Sequence, residues 1–129
     1  MSLVRERCGE EAIAVIPGAS ALAAAVSVAG IPIDEFVFVG FLPHKKGRQK
    51  ALDQLVARDM PKVLYESPHR IQKLLDELVA RSPKAEVVIG RELTKLYEQV
   101  ARGTALELKE RLGKDIPLRG EFVVIIQPC

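Results

Sequence analysis

Short apolar runs alternate along this chain with stretches of helical period, and most runs close on a turn or a helix-starting residue. That alternation limits the fold more than any single motif, because strands interleaved with helices build a sheet with helices packed on it. Residues 12–16 (AIAVI) are apolar, are closed by Pro17-Gly18, and read as a short buried strand. Ser20 then caps a small-residue helix over 21–29, with Gly30 at its left-handed stop and Pro32 barring continuation. Residues 35–41 (EFVFVGF) have the aromatic and β-branched content of a strand. Leu52, Leu55 and Val56 fall at i, i+3, i+4 and predict a helix, with Pro61 marking its end. Lys62 to Tyr65 reads as a strand. Ser67 as N-cap and Pro68 at the first helical position then open a helix with Ile71, Leu74, Leu75, Leu78 and Val79 on one face. Strands follow at 86–89 and 97–101. Thr104 with Glu107 makes a capping box, Leu108 and Leu112 continue that helix, and Gly113 ends it. Residues 122–127 (FVVIIQ) form a final apolar strand.

The expected architecture is therefore α/β: a single mixed sheet of five or six strands flanked by helices. A length of 129 residues suits one domain with a sizeable core. The stretch LVRERCGEE before residue 12 reads as an amphipathic helix with no strand ahead of it. Residues 1–11 are thus expected to be a remnant helix or linker from a preceding domain, and 12–129 the domain itself. Met1 to Leu3 can be native or appended. The two cysteines, Cys8 and Cys129, lie at opposite ends, which gives neither a disulfide framework nor metal-ligand spacing. A formal net charge of +2 rules out a generally basic nucleic-acid binder, so any polyanion contact has to be local.

Four polar stretches follow apolar runs: PGAS (17–20), GFLPHKKGR (40–48), YESPHR (65–70) and GRELTK (90–95). They gather at one sheet edge if the preceding strands run in the same direction, and ligands of open α/β sheets bind at such edges. PGAS puts a Gly turn before a helix N-terminus, which suits an anion and equally suits a plain turn. YESPHR is a capped helix start or a polar site; His69 has no second histidine at ligand spacing. GRELTK is a surface ion-pair set or a site loop. HKKGRQK is a solvated loop or a polyanion contact, and it holds no aromatic on which a base could stack.

Taken in order, IAVIPGASALAAAVSVAGIP, FVFVGFLPHKKGRQKAL, VLYESPHRI, VVIGRELTKLYEQVARGT and GEFVVII resemble one family over nearly the whole chain. It is the C-terminal half of the ribosomal RNA small-subunit 2′-O-methyltransferase I family, within the tetrapyrrole methylase superfamily. The resemblance implies two α/β domains with S-adenosylmethionine in the cleft between them, no metal, and a ribose-methylated cytidine of the decoding region as product. It further implies a homodimer acting on small-subunit ribosomal RNA, and the cysteine usage fits a reducing cytoplasm. The Gly-rich N-terminal half is not in this sequence, so the chain is expected to hold half of the cofactor site and to be inactive alone. Other readings are a methylase of porphyrin- or corrin-type rings and a non-catalytic dimerisation or RNA-binding module.

By position, the resemblance places cofactor contacts on Ser20, Ala21, Glu66, Glu92, Gly120 and Glu121. In-line methyl transfer to a ribose hydroxyl needs alignment and benefits from a general base, for which Glu66 and Glu92 are the candidates. Lys45, Lys46, Arg48, Arg70 and Lys95 are the candidates for the RNA backbone.

Overall fold

The computed structural model describes residues 2–9, 11 and 13–128. The elements run α1 (Ser2–Cys8), α2 (Ala21–Val28), β1 (Val37–Phe41), α3 (Arg48–Val56), β2 (Lys62–Glu66), α4 (Ile71–Val79), β3 (Glu86–Arg91), β4 (Gln99–Thr104), α5 (Ala105–Arg111) and β5 (Phe122–Ile126). The strands form one five-stranded sheet in the order β1-β2-β5-β3-β4. Only β1 and β2 pair in parallel; β5 is antiparallel to both β2 and β3, and β4 is antiparallel to β3. The directions of β1, β2 and β3 are therefore the same, as the arrangement of polar stretches requires.

The last strand of the chain sits at the centre of the sheet. All five of its residues, Phe122 to Ile126, are buried. A strand with no polar side chain can occupy only a position covered on both faces and hydrogen-bonded on both edges. Alternation then divides it. Phe122, Val124 and Ile126 join Leu64, Val87 and Ile89 on a face packed with Leu52, Leu55, Leu74, Leu75, Leu78 and Leu108. Val123 and Ile125 join Val63 and Val88 on the other face, against Ala25 and Ala29 of the α2 segment. Three helices thus cover one face and one short, alanine-rich helix lies on the other. Arg102 of β4 holds that helix down by donating from Nε to the Ala29 carbonyl (2.9 Å) and from Nη2 to that of Val28.

Local signals account for most helix ends. Ser20 accepts from Ala23 N–H as the N-cap of α2. Thr104 and Glu107 form the reciprocal capping box of α5. Ile71, Leu74, Leu75 and Leu78 of α4 are all fully buried, as their spacing predicts.

Three expectations change. Residues 13–16 do not form a strand; Val15 and Ile16 are 93% and 88% exposed. An apolar run becomes a strand only beside a pairing partner, and no described strand lies alongside; Ala12 is outside the described residues. Ser67 is not the N-cap of α4. Its carbonyl takes the N–H groups of both Arg70 and Ile71, its hydroxyl accepts from Arg70 Nε, and the helix starts four residues later, with Arg70 at the cap position. The fourth strand runs 99–104, not 97–101, which leaves Tyr97 in a loop. Cys8 is an exposed free thiol, and Cys129 lies outside the described residues.

Candidate functional site

Because β1, β2 and β3 share a direction, they end together at Phe41, Glu66 and Arg91, beside the start of β5. Pairing fixes the row: Phe41 lies opposite Tyr65, and Phe122 lies between Glu66 and Arg91. Three of the four polar stretches and the Gly120-Glu121 turn therefore meet at one sheet edge. The fourth, PGAS, reaches the same place through Ala21, the first residue of α2.

A cleft of about 380 Å³ opens there, within the size range of small-molecule sites. Phe41, Tyr65, Phe122 and Val123 give it an apolar wall, and Ala21, Glu66 and Glu121 supply the rest of the lining that matters chemically. Tyr65 is wedged between Phe38 (ring centroids 5.1 Å apart) and Phe41 (5.7 Å). The Arg70 guanidinium carbon lies 5.8 Å from the centre of the Phe41 ring.

Glu66 is 2% exposed. It is the next residue on its face of β2 after the buried Leu64, so strand alternation turns it inward. One oxygen, Oε1, accepts from the Ser67 N–H (2.8 Å) and pairs with Arg70 (2.9 Å). The other, Oε2, is buried with no hydrogen-bond partner, and its nearest cation, Arg48, stands 3.8 Å away. Buried carboxylate oxygens are normally satisfied. This one is shut off from solvent, with the Glu66 side chain 0% exposed, so the lining carboxylate open to the donor-rich amino-acid and ribose groups of S-adenosylmethionine is Glu121, whose side chain is 81% exposed. The apolar wall likewise fits that cofactor's adenine and thioether portions.

Glu92 is arranged differently. Its Oε1 accepts from the Glu121 N–H (2.8 Å) and from Lys95 Nζ (3.1 Å), and Lys95 also bonds Glu121 Oε2 (3.0 Å). The Glu121 N–H first, and Lys95 second, hold this carboxyl below its ordinary range. The same two carboxylates raise the Lys95 ammonium, Glu121 most. Glu92 and Gly120 border a separate, more polar cleft of about 250 Å³ and not the main one.

The five basic residues expected at RNA separate into three groups. Lys45 and Lys46 are exposed and have no ion pair among the described residues. Arg70 and Lys95 are at the cleft edge but already paired, with Glu66 and with the two carboxylates of the Glu92–Glu121 turn. Arg48 departs from the expectation. It is 2% exposed, pairs with Glu77 (2.7 Å), and donates to the Pro43 carbonyl (3.3 Å), so it cannot reach a backbone phosphate. It ties the lysine loop to α4 and faces Glu66 from behind. Ser20 caps α2 and is exposed, outside the cleft lining.

Phe41, Tyr65 and Pro68 line the cleft but were not singled out from the sequence. Their one advance signal is position, at or just beyond the ends of two strands with a common direction. No group of acidic, histidine or cysteine residues among those described is arranged to hold a metal.

A family model described as Tetrapyrrole (Corrin/Porphyrin) Methylases matches residues 1–109. The Ribosomal RNA small subunit methyltransferase I of Halalkalibacterium halodurans is 40% identical over 121 residues, covering 92% of this chain and 42% of that protein. The protein of the same name from Thermotoga maritima is 39% identical over 123 residues, 94% of this chain and 55% of that one. The chain spans about half the length of the curated relatives it matches. Among solved structures, the methyltransferase CobJ superposes with a TM-score of 0.66 at 19% identity, over 99% of this chain and 57% of its own. The uroporphyrin-III C-methyltransferase of Thermus thermophilus, in complex with S-adenosylhomocysteine, gives 0.59 at 20% identity, over 88% and 51%.

Proposed function

The chain belongs to the tetrapyrrole (corrin/porphyrin) methylase family, and on that premise we propose that it is the C-terminal part of a cytoplasmic enzyme that methylates a cytidine 2′-hydroxyl in the decoding region of small-subunit ribosomal RNA. The observation that carries this reading is the match, across more than nine-tenths of the chain, to relatives named Ribosomal RNA small subunit methyltransferase I. In this reading residues 12–129 form a domain that provides one wall of the cofactor cleft. A preceding domain, joined through residues 1–11, provides the other. The chain is inactive alone, and the whole protein is a homodimer.

S-adenosylmethionine supplies an electrophilic methyl group on a sulfonium. The residues here hold and orient. Ala21, Phe41, Tyr65 and Phe122 give the cleft its apolar lining, and Glu66 sets a buried carboxylate beside it. Arg48 and Arg70 balance the Glu66 charge and fix its rotamer, the kind of support an orienting group needs. Each of the two candidate bases keeps Oε2 without a hydrogen bond among the described residues; that of Glu66 is buried, and the Glu92 side chain is 18% exposed. Glu92, already bonded and held below the usual carboxylate range, is better suited to clamping the Gly120-Glu121 turn, which brings Glu121 to the cleft. A carboxylate near the sulfonium aids binding more than rate, because the positive charge fades in the transition state. Lys45 and Lys46 project from the loop after β1, where a phosphate backbone approaching the cleft passes.

Methylation mapping of small-subunit ribosomal RNA after deletion of the parent gene tests the assignment: the decoding-region ribose methyl is expected to disappear, and its persistence rejects the reading. Unchanged turnover on Lys45→Ala/Lys46→Ala points instead to a small ring substrate that needs no basic rim.

A further inference from the structure

The interior holds two arginines, and they are treated differently. Arg48 has the carboxylates of Glu77 and Glu66 beside it. Arg91, 5% exposed, has no carboxylate at ion-pair distance among the described residues. Its Nε donates to the Arg119 carbonyl (2.7 Å) and its Nη1 to the Tyr97 carbonyl (3.1 Å). A guanidinium carries five N–H donors, so three are left over, and among the described residues Nη2 has no acceptor. Buried charges are ordinarily paired.

Arg91 borders the 250 Å³ cleft, along with Tyr97, Arg119, Glu92 and Gly120. Arg119 is exposed, and its side chain makes no hydrogen bond or ion pair among the described residues. Tyr97 is 65% exposed. The one carboxylate in the lining, Glu92, spends Oε1 on the Glu121 N–H and on Lys95, which it shares with Glu121, and Arg91 acts on it at longer range. Two guanidinium groups without a contact ion pair among the described residues, next to an open tyrosine ring, match one ligand chemistry: a phosphate on the arginines and a base stacked on the ring. The loop is built to stay in place. Glu92 and Thr94 hold left-handed backbone angles (φ 50° and 66°), and Glu98 accepts the Thr94 N–H (2.6 Å).

We propose that the Arg91–Tyr97–Arg119 cleft is a nucleotide subsite, which takes a nucleotide of the RNA strand beside the one presented to the cofactor held in the main cleft. It rests on the ribosomal RNA reading above and adds to it a place for a neighbouring nucleotide. The placement is direct, since Phe122 lies in register between Glu66 and Arg91. Glu66 and Arg91, which border the two clefts, are thus two strand spacings apart, roughly 10 Å.

Titration of the ¹⁵N-labelled chain with cytidylyl-cytidine tests the subsite. Saturable shifts are expected at Arg91 Nε–H, which is buried and hydrogen-bonded, and at the Tyr97 backbone amide. Inorganic phosphate is expected to move Arg91 Nε–H alone. Arg119→Ala, whose side chain has no bonding partner to lose, and Tyr97→Leu should each weaken the dinucleotide about tenfold, while Tyr97→Phe retains it. The proposal is overturned by no shift at Arg91, or by both weakening variants binding like the unsubstituted chain. Phosphate and dinucleotide shifting the same set of residues also overturns it, leaving an anion site only. The RNA reading fails separately. If gene deletion removes the ribose methyl and the dinucleotide does not bind, only the subsite is lost; if the methyl persists, the reading itself falls.

Discussion

The backbone N–H of Glu92 donates to the Glu121 carbonyl (2.9 Å), and the N–H of Glu121 donates back to Glu92 Oε1 (2.8 Å). This reciprocal pair fastens the loop after β3 to the turn before β5, so the two walls of the sheet edge cannot move independently. The carboxylate form of Glu92 makes the bond from Glu121, which is why its pKa lies below the ordinary 4.5.

That shift predicts a pH dependence of defined sign. The folded carboxyl releases its proton more readily than the unfolded one, so the folded state binds fewer protons between the two values. Its stabilisation is complete above the unfolded value and lost as pH falls through the folded one. Unfolding midpoints of the chain and of Glu92→Gln should therefore differ at neutral pH. The gap should close on acidification below the ordinary carboxylate range. A gap that widens there contradicts the assigned role.

Gly120 adds a steric term to the same contact. Its φ is +92°, and a Cβ placed on it would sit 2.6 Å from Glu92 Cγ. Gly120→Ala is expected to cost about 1–3 kcal/mol from backbone strain alone, and more from the clash. In a double-mutant cycle with Glu92→Ala, the penalty at Gly120 should shrink without vanishing, because removing the side chain relieves the clash and leaves the strained φ. Denaturant unfolding of the four proteins measures this, and strict additivity would mean the two residues do not meet.

Arg48, Lys45 and Lys46 belong to one basic stretch, but substitution should separate them sharply. Arg48→Met leaves Glu77 and Glu66 without their buried cation and is expected to destabilise by about 3–5 kcal/mol. Lys45→Ala and Lys46→Ala, both exposed and unpaired among the described residues, should stay within about 0.5 kcal/mol. The same urea titrations decide between these outcomes.

Those three residues also show how far the sequence can be read. Charge type and proximity group them together, but helix phase does not. Arg48 precedes Leu52 and Leu55 at i+4 and i+7, the spacing of one helix face, so its burial was present in the pattern. Glu66 follows the same logic two residues after Leu64. Capping at Thr104 and the apolar face of α4 are local, and they read correctly. Val15 and Ile16 have strand composition but no strand beside them among the described residues, and pairing is a property of the whole sheet that a window of five residues does not contain. The meeting of Phe41 and Tyr65 is equally non-local: it depends on β1 and β2 lying parallel in a particular register, which no spacing along the chain encodes.

Phe41 provides the last test, because it separates binding from folding. It is 60% exposed, packed on Tyr65 on one side and near Arg70 on the other, and it lines the cleft. Removing a ring that is mostly solvent-exposed should cost little stability, within about 1 kcal/mol. If the aromatic wall holds S-adenosylmethionine, Phe41→Ala should weaken the cofactor about tenfold in the full-length protein, since one aromatic contact is worth about 1–3 kcal/mol. Calorimetry with S-adenosylhomocysteine reads the affinity, and thermal unfolding reads the stability. Leu75→Ala gives the opposite result: this core residue is fully buried on the other side of the sheet and should cost about 2–5 kcal/mol in folding with cofactor affinity unchanged in the folded fraction. Equal losses of affinity in both variants would mean that the cleft merely reports global stability, and the aromatic wall would then have no binding role of its own.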